Sequence, residues 1–294
     1  MKTLITVVTP TYNRKKELNH LFESLKAQTN LGFKWLVVDD GSQDNTQELV
    51  QSFIKSDKPF EIEYVKKENG GKHTALNIAF QKVDTKYTFI VDSDDILTKD
   101  AIQQIYDKDE IVLKNNLAGI SFLRGYDEKT VIGTPFPKEE ICNGLDIQFK
   151  YKVKGDKAEV WRTDILRKYS FPIFEGERFQ GENYIWWKIA MEYDVLYINK
   201  ITYITEYLPD GLSMAGKKLR ISCPLGGMEN SKVAFNKKFP LRERVKRTLL
   251  FCCYGFFAKK NVKQIICESN KYGLVVLLIP CGWLLYKYWD KKYN

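Results

Sequence analysis

The stretch Tyr87–Asp95, YTFIVDSDD, joins five residues of high β propensity to a cluster of three carboxylates. Such a short run predicts a buried strand, and the alternation of its side chains places Asp92 and Asp94 on one side, with Asp95 turned towards them. Carboxylates this close repel one another, so at least one pKa rises unless a positive group lies between them. We expect a divalent cation, Mg²⁺ or Mn²⁺, on Asp92, Asp94 and Asp95. An Asp-rich helix cap is the alternative.

The chain upstream of this stretch alternates strand and helix patterns. Apolar, β-branched runs predict strands at Leu4–Val8, Trp35–Val38, Glu61–Val65 and Tyr87–Val91. Apolar residues at helical spacing fall between them, the first set being Leu18, Leu21, Phe22 and Leu25. This repetition predicts an α/β fold, with a mixed, mostly parallel, Rossmann-like sheet flanked by helices.

Polar residues follow each of the four strands, at the sheet edge where such folds bind ligands. The segments are Thr9–Arg14, Asp39–Ser42, Asn69–Lys72 and Asp92–Asp95. One carboxylate of Asp39-Asp40 can accept a hydrogen bond from the imide N–H of a uracil while the other braces the turn. Arg14 and Lys72 are candidates for phosphate contacts, and Tyr12 for stacking on a base. Ordinary turn chemistry and solvated side chains are the alternative reading of each segment.

These segments together resemble the donor half of the family 2 glycosyltransferases, which have the GT-A fold. The resemblance rests on TPTYNR, VDDGS, ENGGKHTALN and DSDD, in order over residues 3 to about 100. It implies an inverting transferase that uses a nucleotide diphosphate sugar, most often a UDP-sugar, with a divalent metal on Asp94, Asp95 or Asp92. The candidate donor-binding residues are Pro10, Thr11, Tyr12, Arg14, Asp39, Asp40, Lys72, Asn77, Asp92, Ser93 and Asp94.

The second half of the chain resembles the acceptor half of bacterial members more weakly. Many relatives have Glu-Asp where this chain has Glu182-Asn183, and a carboxylate of that pair is the catalytic base. Because an asparagine cannot accept the proton, we assign the role to Glu182, with Glu177 and Asp210 as substitutes. The alternative is that Glu182 is only a favourable charge at a helix N-terminus.

Charge is distributed unevenly over the 294 residues. Residues 1–211 carry 29 basic and 33 acidic side chains, whereas residues 212–294 carry 17 and 4. The polar segment around Met214–Asn236, which contains Gly216, Pro224 and Gly226-Gly227, is expected to link the body of the chain to this basic tail. Two uncharged runs, Thr248–Ala258 and Tyr272–Tyr286, lie within the tail. The second is too short to span a bilayer and contains Pro280, which we expect to interrupt its helix. We therefore expect an amphipathic helical tail that lies on an anionic membrane surface, or alternatively a pair of core helices.

Other features exclude further classes of protein. Six cysteines without a C-x-x-C pair and only two histidines disfavour a zinc site. The tail's aromatic residues fall in apolar blocks, which is unlike a nucleic-acid-binding arm. Met1-Lys2 leads directly into LITVV without the apolar region of a signal peptide, so we expect a cytoplasmic protein at the inner face of the cell membrane.

The sequence thus predicts three segments and one function. Residues 1–100 form the nucleotide-sugar-binding half, residues 101–213 the acceptor-binding half and residues 214–294 the basic tail. The predicted function is glycosyl transfer from a nucleotide sugar to a glycan or lipid-linked acceptor in cell-surface polysaccharide biosynthesis. A non-catalytic, membrane-associated donor-binding subunit that retains the fold is the alternative.

Overall fold

The computed structural model describes residues 3–205, 212–270 and 272–293. The chain forms two compact units: Met1–Ser170 with Glu192–Leu208, and Phe171–Met191 with Pro209–Asn294. The functional roles assigned above to residues 1–100, 101–213 and 214–294 stay predictions.

The first unit is built on nine strands, six α-helices and one π-helix (Asp146–Lys150) within the described residues. The strands are β1 (Ile5–Thr11), β2 (Phe33–Asp39), β3 (Glu61–Lys66), β4 (Tyr87–Ile90), β5 (Asp95–Leu97), β6 (Gly119–Gly125), β7 (Glu140–Asn143), β8 (Lys157–Arg162) and β9 (Asp194–Thr205). The helices are α1 (Lys15–Lys26), α2 (Thr46–Lys55), α3 (Lys72–Lys82), α4 (Ala101–Tyr106), α5 (Asp109–Lys114) and α6 (Thr163–Leu166). The four predicted strands are therefore all present.

The strands form one mixed sheet in the order β3-β2-β1-β4-β8-β6-β9-β5, with β7 also paired to β9. The first four strands run parallel, and β8 joins them antiparallel beside β4. The register places Thr11 opposite Asp39, and Asp39 opposite Lys66. The carboxyl ends of β1, β2 and β3 are therefore level, and the loops that follow them emerge at one edge.

The core of this unit lies between the sheet and its helices. Leu18, Leu21, Phe22 and Leu25 are buried on α1, as their helical spacing predicts. The ring of Phe22 stacks on that of Phe53 with 4.0 Å between centroids. This packing fixes α1 and α2 against the sheet, so the loops that precede these helices start from a rigid base.

The second unit is helical. Its helices are α7 (Asn183–Ala190), α8 (Leu212–Ser222), α9 (Pro224–Val233), α10 (Leu241–Phe257), α11 (Val262–Glu268) and α12 (Gly273–Tyr293). The interpretation of residues 214–236 as a polar linker is wrong for most of its length, because α8 and α9 occupy it. Gly216, with φ 53° and ψ −127°, does break the helical backbone of α8. Pro224 stands at the start of α9, where its fixed φ suits a first helical turn. Gly227 lies where a Cβ atom would be 2.8 Å from the ring of Tyr254, so this glycine allows α9 to approach α10 closely.

The two uncharged runs of the tail form most of α10 and α12. These helices share a core that contains Phe251, Cys252, Val275 and Ile279. Pro280 does not interrupt α12, contrary to our expectation, because Ile279 and Gly282 on either side are buried in that core. A Cβ atom on Gly282 would lie 2.3 Å from Cβ of Cys252, so the two helices meet at a glycine. Within the described ranges, no helix is both long and apolar enough to cross a membrane.

Candidate active site

The loop after β1 is joined to the loop after β2 by hydrogen bonds. The backbone N–H of Asn13 donates to Oγ of Ser42 over 2.9 Å, and the N–H of Gln43 donates to Oδ1 of Asn13 over 2.8 Å. Tyr12, next to Asn13, is 44% exposed. Oγ1 of Thr11 is buried and has no hydrogen-bond partner in the described part of the chain. This edge therefore presents an exposed aromatic ring next to a buried hydroxyl group that has no hydrogen-bond partner among the described residues.

Asp39 and Asp40 both brace the loops around them. Oδ1 of Asp39 accepts a hydrogen bond from the N–H of Ser42 over 2.7 Å, and Oδ2 accepts one from the hydroxyl of Tyr64 over 2.6 Å. Asp40 is 4% exposed and holds the next loop, at residues 67–71. The division of labour expected for this pair, one carboxylate for a base and one for the turn, stays a prediction.

Asp40 shapes the glycine loop that precedes α3. Its Oδ1 accepts hydrogen bonds from Nζ of Lys67 over 2.5 Å and from the N–H of Gly70 over 2.9 Å. Its Oδ2 accepts one from the N–H of Gly71 over 2.7 Å. Gly71 has a φ of 94°, which a residue with a Cβ atom rarely adopts, and α3 begins directly after it with Lys72. The carboxylate of Asp40 thereby fixes the start of α3 and the position of Lys72, its first residue.

Lys72 connects α3 to the acidic cluster. Its Nζ lies 2.5 Å from Oδ1 of Asp92. The hydroxyl of Tyr203, on β9, accepts a hydrogen bond from the backbone N–H of Asp92 over 2.8 Å. Burial alone would raise the pKa of Asp92, but the charges of Lys72 and Arg124 outweigh it and lower that pKa.

Arg124 is the second cation of the cluster, and the sequence analysis did not identify it. Its Nη1 lies 3.7 Å from a carboxylate oxygen of Asp92 and 3.7 Å from one of Asp95. Its guanidinium carbon lies 4.0 Å from the ring centroid of Tyr203. The signal in the sequence was a single charge in the otherwise uncharged strand β6, GISFLRG. The positive groups that the clustered carboxylates require are therefore supplied in part by Lys72 and Arg124.

Asp94 and Asp95 differ in their surroundings. Asp95 is 4% exposed, and burial together with the neighbouring Asp92 raises its pKa to about 7. Asp94 is half-buried; burial and Asp92 raise its pKa, and the charge of Arg14 opposes that rise. Asp94 makes no ion pair with any residue that the structure describes. The remaining candidates nearby are the buried Ser93, in the same turn, and the half-buried Asn77, on α3.

The carboxylates of the acidic cluster suit a metal ion that takes few ligands from the protein. Within the described ranges, no three His, Cys, Asp or Glu side chains are arranged to hold a metal by themselves. Mg²⁺ and Mn²⁺ are commonly held by one or two carboxylates, with phosphate oxygens and water completing the shell. Asp94, which lacks an ion pair, suits that role. Asp92 and Asp95 face Lys72 and Arg124, and their part in a metal site stays a prediction.

The candidate bases belong to the second unit. Glu182 directly precedes α7, and its carbonyl oxygen accepts hydrogen bonds from the N–H groups of Ile185 and Trp186. Glu177 caps α9, because its carboxylate accepts hydrogen bonds from the N–H groups of Leu225, over 2.7 Å, and Gly226, over 2.8 Å. Asp210 lies outside the described residues.

Asn183 is held by a reciprocal amide pair. Its Nδ2 donates to Oδ1 of Asn230 over 3.2 Å, and Nδ2 of Asn230 donates to Oδ1 of Asn183 over 2.9 Å. The same Asn230 amide donates to the carbonyl oxygen of Gly181 over 3.4 Å. The residues on both sides of Glu182 are therefore tied to α9 by one side chain.

Comparison with known proteins identifies the family. The sequence profile of Glycosyl transferase family 2 matches residues 6–129. This range includes the loops after β1 and β2, the glycine loop before α3 and the acidic cluster. Glycosyltransferase GlyG of Streptococcus pneumoniae is 34% identical over 256 residues, which cover 81% of this chain and 80% of GlyG. The chain belongs to glycosyltransferase family 2.

Two further similarities place this glycosyltransferase among proteins of known sequence and structure. TuaG of Bacillus subtilis, named for teichuronic acid biosynthesis, is 31% identical over 137 residues, or 47% of this chain and 52% of TuaG. The structure of residues 1–349 of Staphylococcus aureus TarS, in complex with UDP-GlcNAc, superimposes with a TM-score of 0.61 at 17% identity. It covers 95% of this chain and 91% of that one. The resemblance and the GT-A-type α/β fold predicted from the sequence are confirmed.

Proposed function

We propose that this family 2 glycosyltransferase transfers a hexosyl group, with inversion, from a nucleotide diphosphate sugar to a hydroxyl group of a glycan or lipid-linked acceptor in cell-surface polysaccharide biosynthesis. The observation that carries the proposal is the gathering of Thr11, Asp39, Asp40, Lys72 and the acidic cluster at one edge of the first unit's sheet. This is the edge at which parallel α/β sheets bind nucleotides.

A UDP-sugar is the proposed donor. An exposed ring at Tyr12 offers a base a face to stack on, and the unpartnered hydroxyl of Thr11 offers it a hydrogen bond. The complex of TarS with UDP-GlcNAc supports a uridine nucleotide for a protein of this fold. The name of TuaG supports a cell-wall polymer as the acceptor class.

Inversion in a single displacement requires a base for the acceptor hydroxyl group. We assign that role to Glu182, which accepts the proton as the new bond to C1 forms. General-base catalysis of this kind contributes about 10²- to 10⁴-fold in rate. Asn183 carries no titratable group, and the carboxylate of Glu177 is committed to the N-terminus of α9. We retain Glu182 because it stands at the position of the glutamate in the Glu-Asp pair that many relatives have.

The departing diphosphate requires neutralisation. A divalent cation bound at Asp94 would act as a Lewis acid for the leaving phosphate oxygens. Lys72, at the first turn of α3, lies where an N-terminal dipole and an ammonium group both favour a phosphate. Arg14 is the further candidate for a phosphate contact.

Calorimetric titration of UDP, GDP and CMP into the full chain, with and without Mn²⁺, tests the donor assignment. We expect UDP to bind more tightly with Mn²⁺, and we expect Asp94→Asn to abolish that increase. Asp84→Asn is the matched control, because Asp84 is an exposed carboxylate that pairs only with Lys34 among described residues. Absence of nucleotide binding by a folded wild-type protein would refute the proposed donor site.

Glu182→Gln separates catalysis from donor binding. We expect this variant to bind UDP like the wild type and to lose sugar transfer and donor hydrolysis. A wild-type protein that binds UDP but neither transfers nor hydrolyses any UDP-sugar would instead favour the non-catalytic donor-binding subunit, the possibility that Asn183 raises.

A further inference from the structure

One face of α12 is apolar and exposed. Its exposed positions recur with helical spacing, and the apolar ones are Val276, Leu277, Pro280, Cys281, Trp283, Leu284 and Tyr288. Leu277 is 72% exposed and Leu284 is 61% exposed. A contiguous patch of large, solvent-exposed apolar side chains marks a site of interaction with a protein or a membrane.

The opposite face of the same helix is already used. Val275, Ile279, Gly282 and Trp289 are buried in the core that α12 shares with α10. Stability of the second unit therefore does not account for the exposed face. Leu277 and Leu284 lie seven residues apart, two turns along one side of the helix.

Basic residues complete this face at its C-terminal end. Lys287, Lys291 and Lys292 are exposed on the last two turns. The surrounding tail is strongly basic, with 17 basic and 4 acidic residues from 212 to 294. Nζ of Lys287 lies 5.8 Å from the ring centroid of Trp283, and Nζ of Lys292 lies 5.9 Å from that of Tyr288. Tryptophan and tyrosine side chains favour the boundary between hydrocarbon and headgroups.

We propose that the exposed face of α12 docks on an anionic lipid bilayer, with the helix in the plane of the interface. Leu277 and Leu284 enter the acyl region, while Lys287 and Lys291 contact acidic headgroups. Charge decides against a second copy of this chain as the occupant, because two such basic faces repel one another. The proposal does not depend on the reaction chemistry, and it would place the enzyme where a lipid-linked acceptor is concentrated.

Co-sedimentation of the full chain with vesicles tests the proposal. Vesicles of neutral phosphatidylcholine are compared with anionic vesicles that contain about 30% phosphatidylglycerol, each in low and in high salt. We expect binding to the anionic vesicles that weakens with salt. Each interfacial lysine contributes about 1 kcal/mol, or roughly five-fold, so we expect Lys287→Gln/Lys291→Gln to bind roughly 25-fold more weakly.

Two pairs of variants separate this face from general effects. Leu277→Glu/Leu284→Glu should weaken vesicle binding at least as strongly as the lysine pair, whereas Leu113→Glu, at an exposed leucine of α5, should not. Lys114→Gln/Lys129→Gln removes the same net charge from exposed positions of the first unit and should leave binding unchanged. UDP binding, measured in parallel, reports folding and the donor site independently of the membrane.

Three results would overturn the proposal. The first is wild-type binding to vesicles that the α12 variants do not change. The second is no binding by the full chain that retains its nucleotide affinity. The third is a dimer in analytical ultracentrifugation that Leu277→Glu/Leu284→Glu dissociates, which would assign the face to a second copy.

Discussion

Replacing Arg124 by methionine tests how the acidic cluster is neutralised. The guanidinium lies 3.7 Å from each of two carboxylates, those of Asp92 and Asp95. Its Nε donates to the carbonyl oxygen of Lys157 over 2.9 Å, and the group stacks on Tyr203. Methionine preserves much of the apolar stem and removes all of these polar contacts. Among the residues that the structure describes, Lys72 then remains as the one cation paired with Asp92.

The burial of the ion pairs, more than the distance between their charged atoms, determines how much free energy of unfolding Arg124→Met loses. At an effective dielectric constant of about 20, one ion pair at this separation contributes about 4 kcal/mol of attraction. Desolvation of the buried guanidinium offsets part of that gain, but the carboxylates stay buried when the arginine is removed. Removing one partner of such a cluster destabilises proteins by about 3 to 5 kcal/mol, and we expect Arg124→Met to fall in that range.

Urea unfolding of the wild type and the variant gives the measurement. Arg162→Met is the matched control, because Arg162 lies only 2.6 Å from Asp164 but that carboxylate is 62% exposed. Exposed pairs contribute about 0 to 1 kcal/mol, so the shorter ion pair should matter less. A loss below about 1 kcal/mol for Arg124→Met, or a larger loss for Arg162→Met, would refute this account of the cluster.

Three further predictions concern other parts of the molecule. Asn230→Ala breaks the amide pair beside the proposed base, so it should lower kcat roughly 10- to 100-fold and leave the donor KM unchanged. Asn183→Ala breaks the same pair, so the double variant Asn183→Ala/Asn230→Ala should lower kcat no further. Losses in kcat that add up in steady-state kinetics would contradict this. Burial lowers the pKa of Lys157 to about 8, so the unfolded chain binds this proton more tightly. The contribution of Lys157 to the free energy of unfolding should therefore rise by up to about 3 kcal/mol between pH 8 and 10.5, while buried tyrosines with a raised pKa, such as Tyr64 and Tyr87, contribute in the opposite direction near the upper limit. Lys157→Met should remove that rise in urea titrations across this pH range. Gly119→Ala should lower the free energy of unfolding by about 1 to 3 kcal/mol in the same urea assay, because the added Cβ atom would lie 1.9 Å from the carbonyl oxygen of Val160. An unchanged free energy of unfolding would show that β6 and β8 can separate locally.

Periodicity was sufficient to predict the first half of the fold. The strands at Leu4–Val8 and Trp35–Val38 are buried runs of apolar residues, so their pattern has few alternative readings. The polar loops that follow them could be placed at one edge because parallel strands share a direction. The contacts within those loops, such as the hydrogen bonds of Asp40 with Gly70 and Gly71, could be identified only from the structure.

The partners of the acidic cluster could not be predicted from local sequence. Arg124 and Tyr203 reach Asp92 from strands that follow it by 32 and 111 residues in the chain. Their positions depend on the order of β6 and β9 in the sheet, which no local pattern encodes. A lone arginine in an apolar strand was the available clue.

The tail shows the opposite error. Pro280 and Gly226-Gly227 were interpreted as signs of interrupted helix and linker, although both lie inside helices. Burial of the residues around them against neighbouring helices outweighs their low helix propensity. Local propensity is a weak guide where tertiary packing supplies most of the free energy.

The contact between Gly282 and Cys252 fixes the rotational phase of α12 about its own axis. Because no side chain beyond hydrogen fits between the two helices there, this point selects which residues face inward and, 180° away, which face outward. Each residue added to or removed from the helix before Gly282 would turn the preceding segment by about 100° relative to this contact. The direction in which Leu277 points is therefore set by a residue on the other side of the helix. Insertions in α12 should consequently be tolerated after Tyr293 far better than between Leu277 and Gly282.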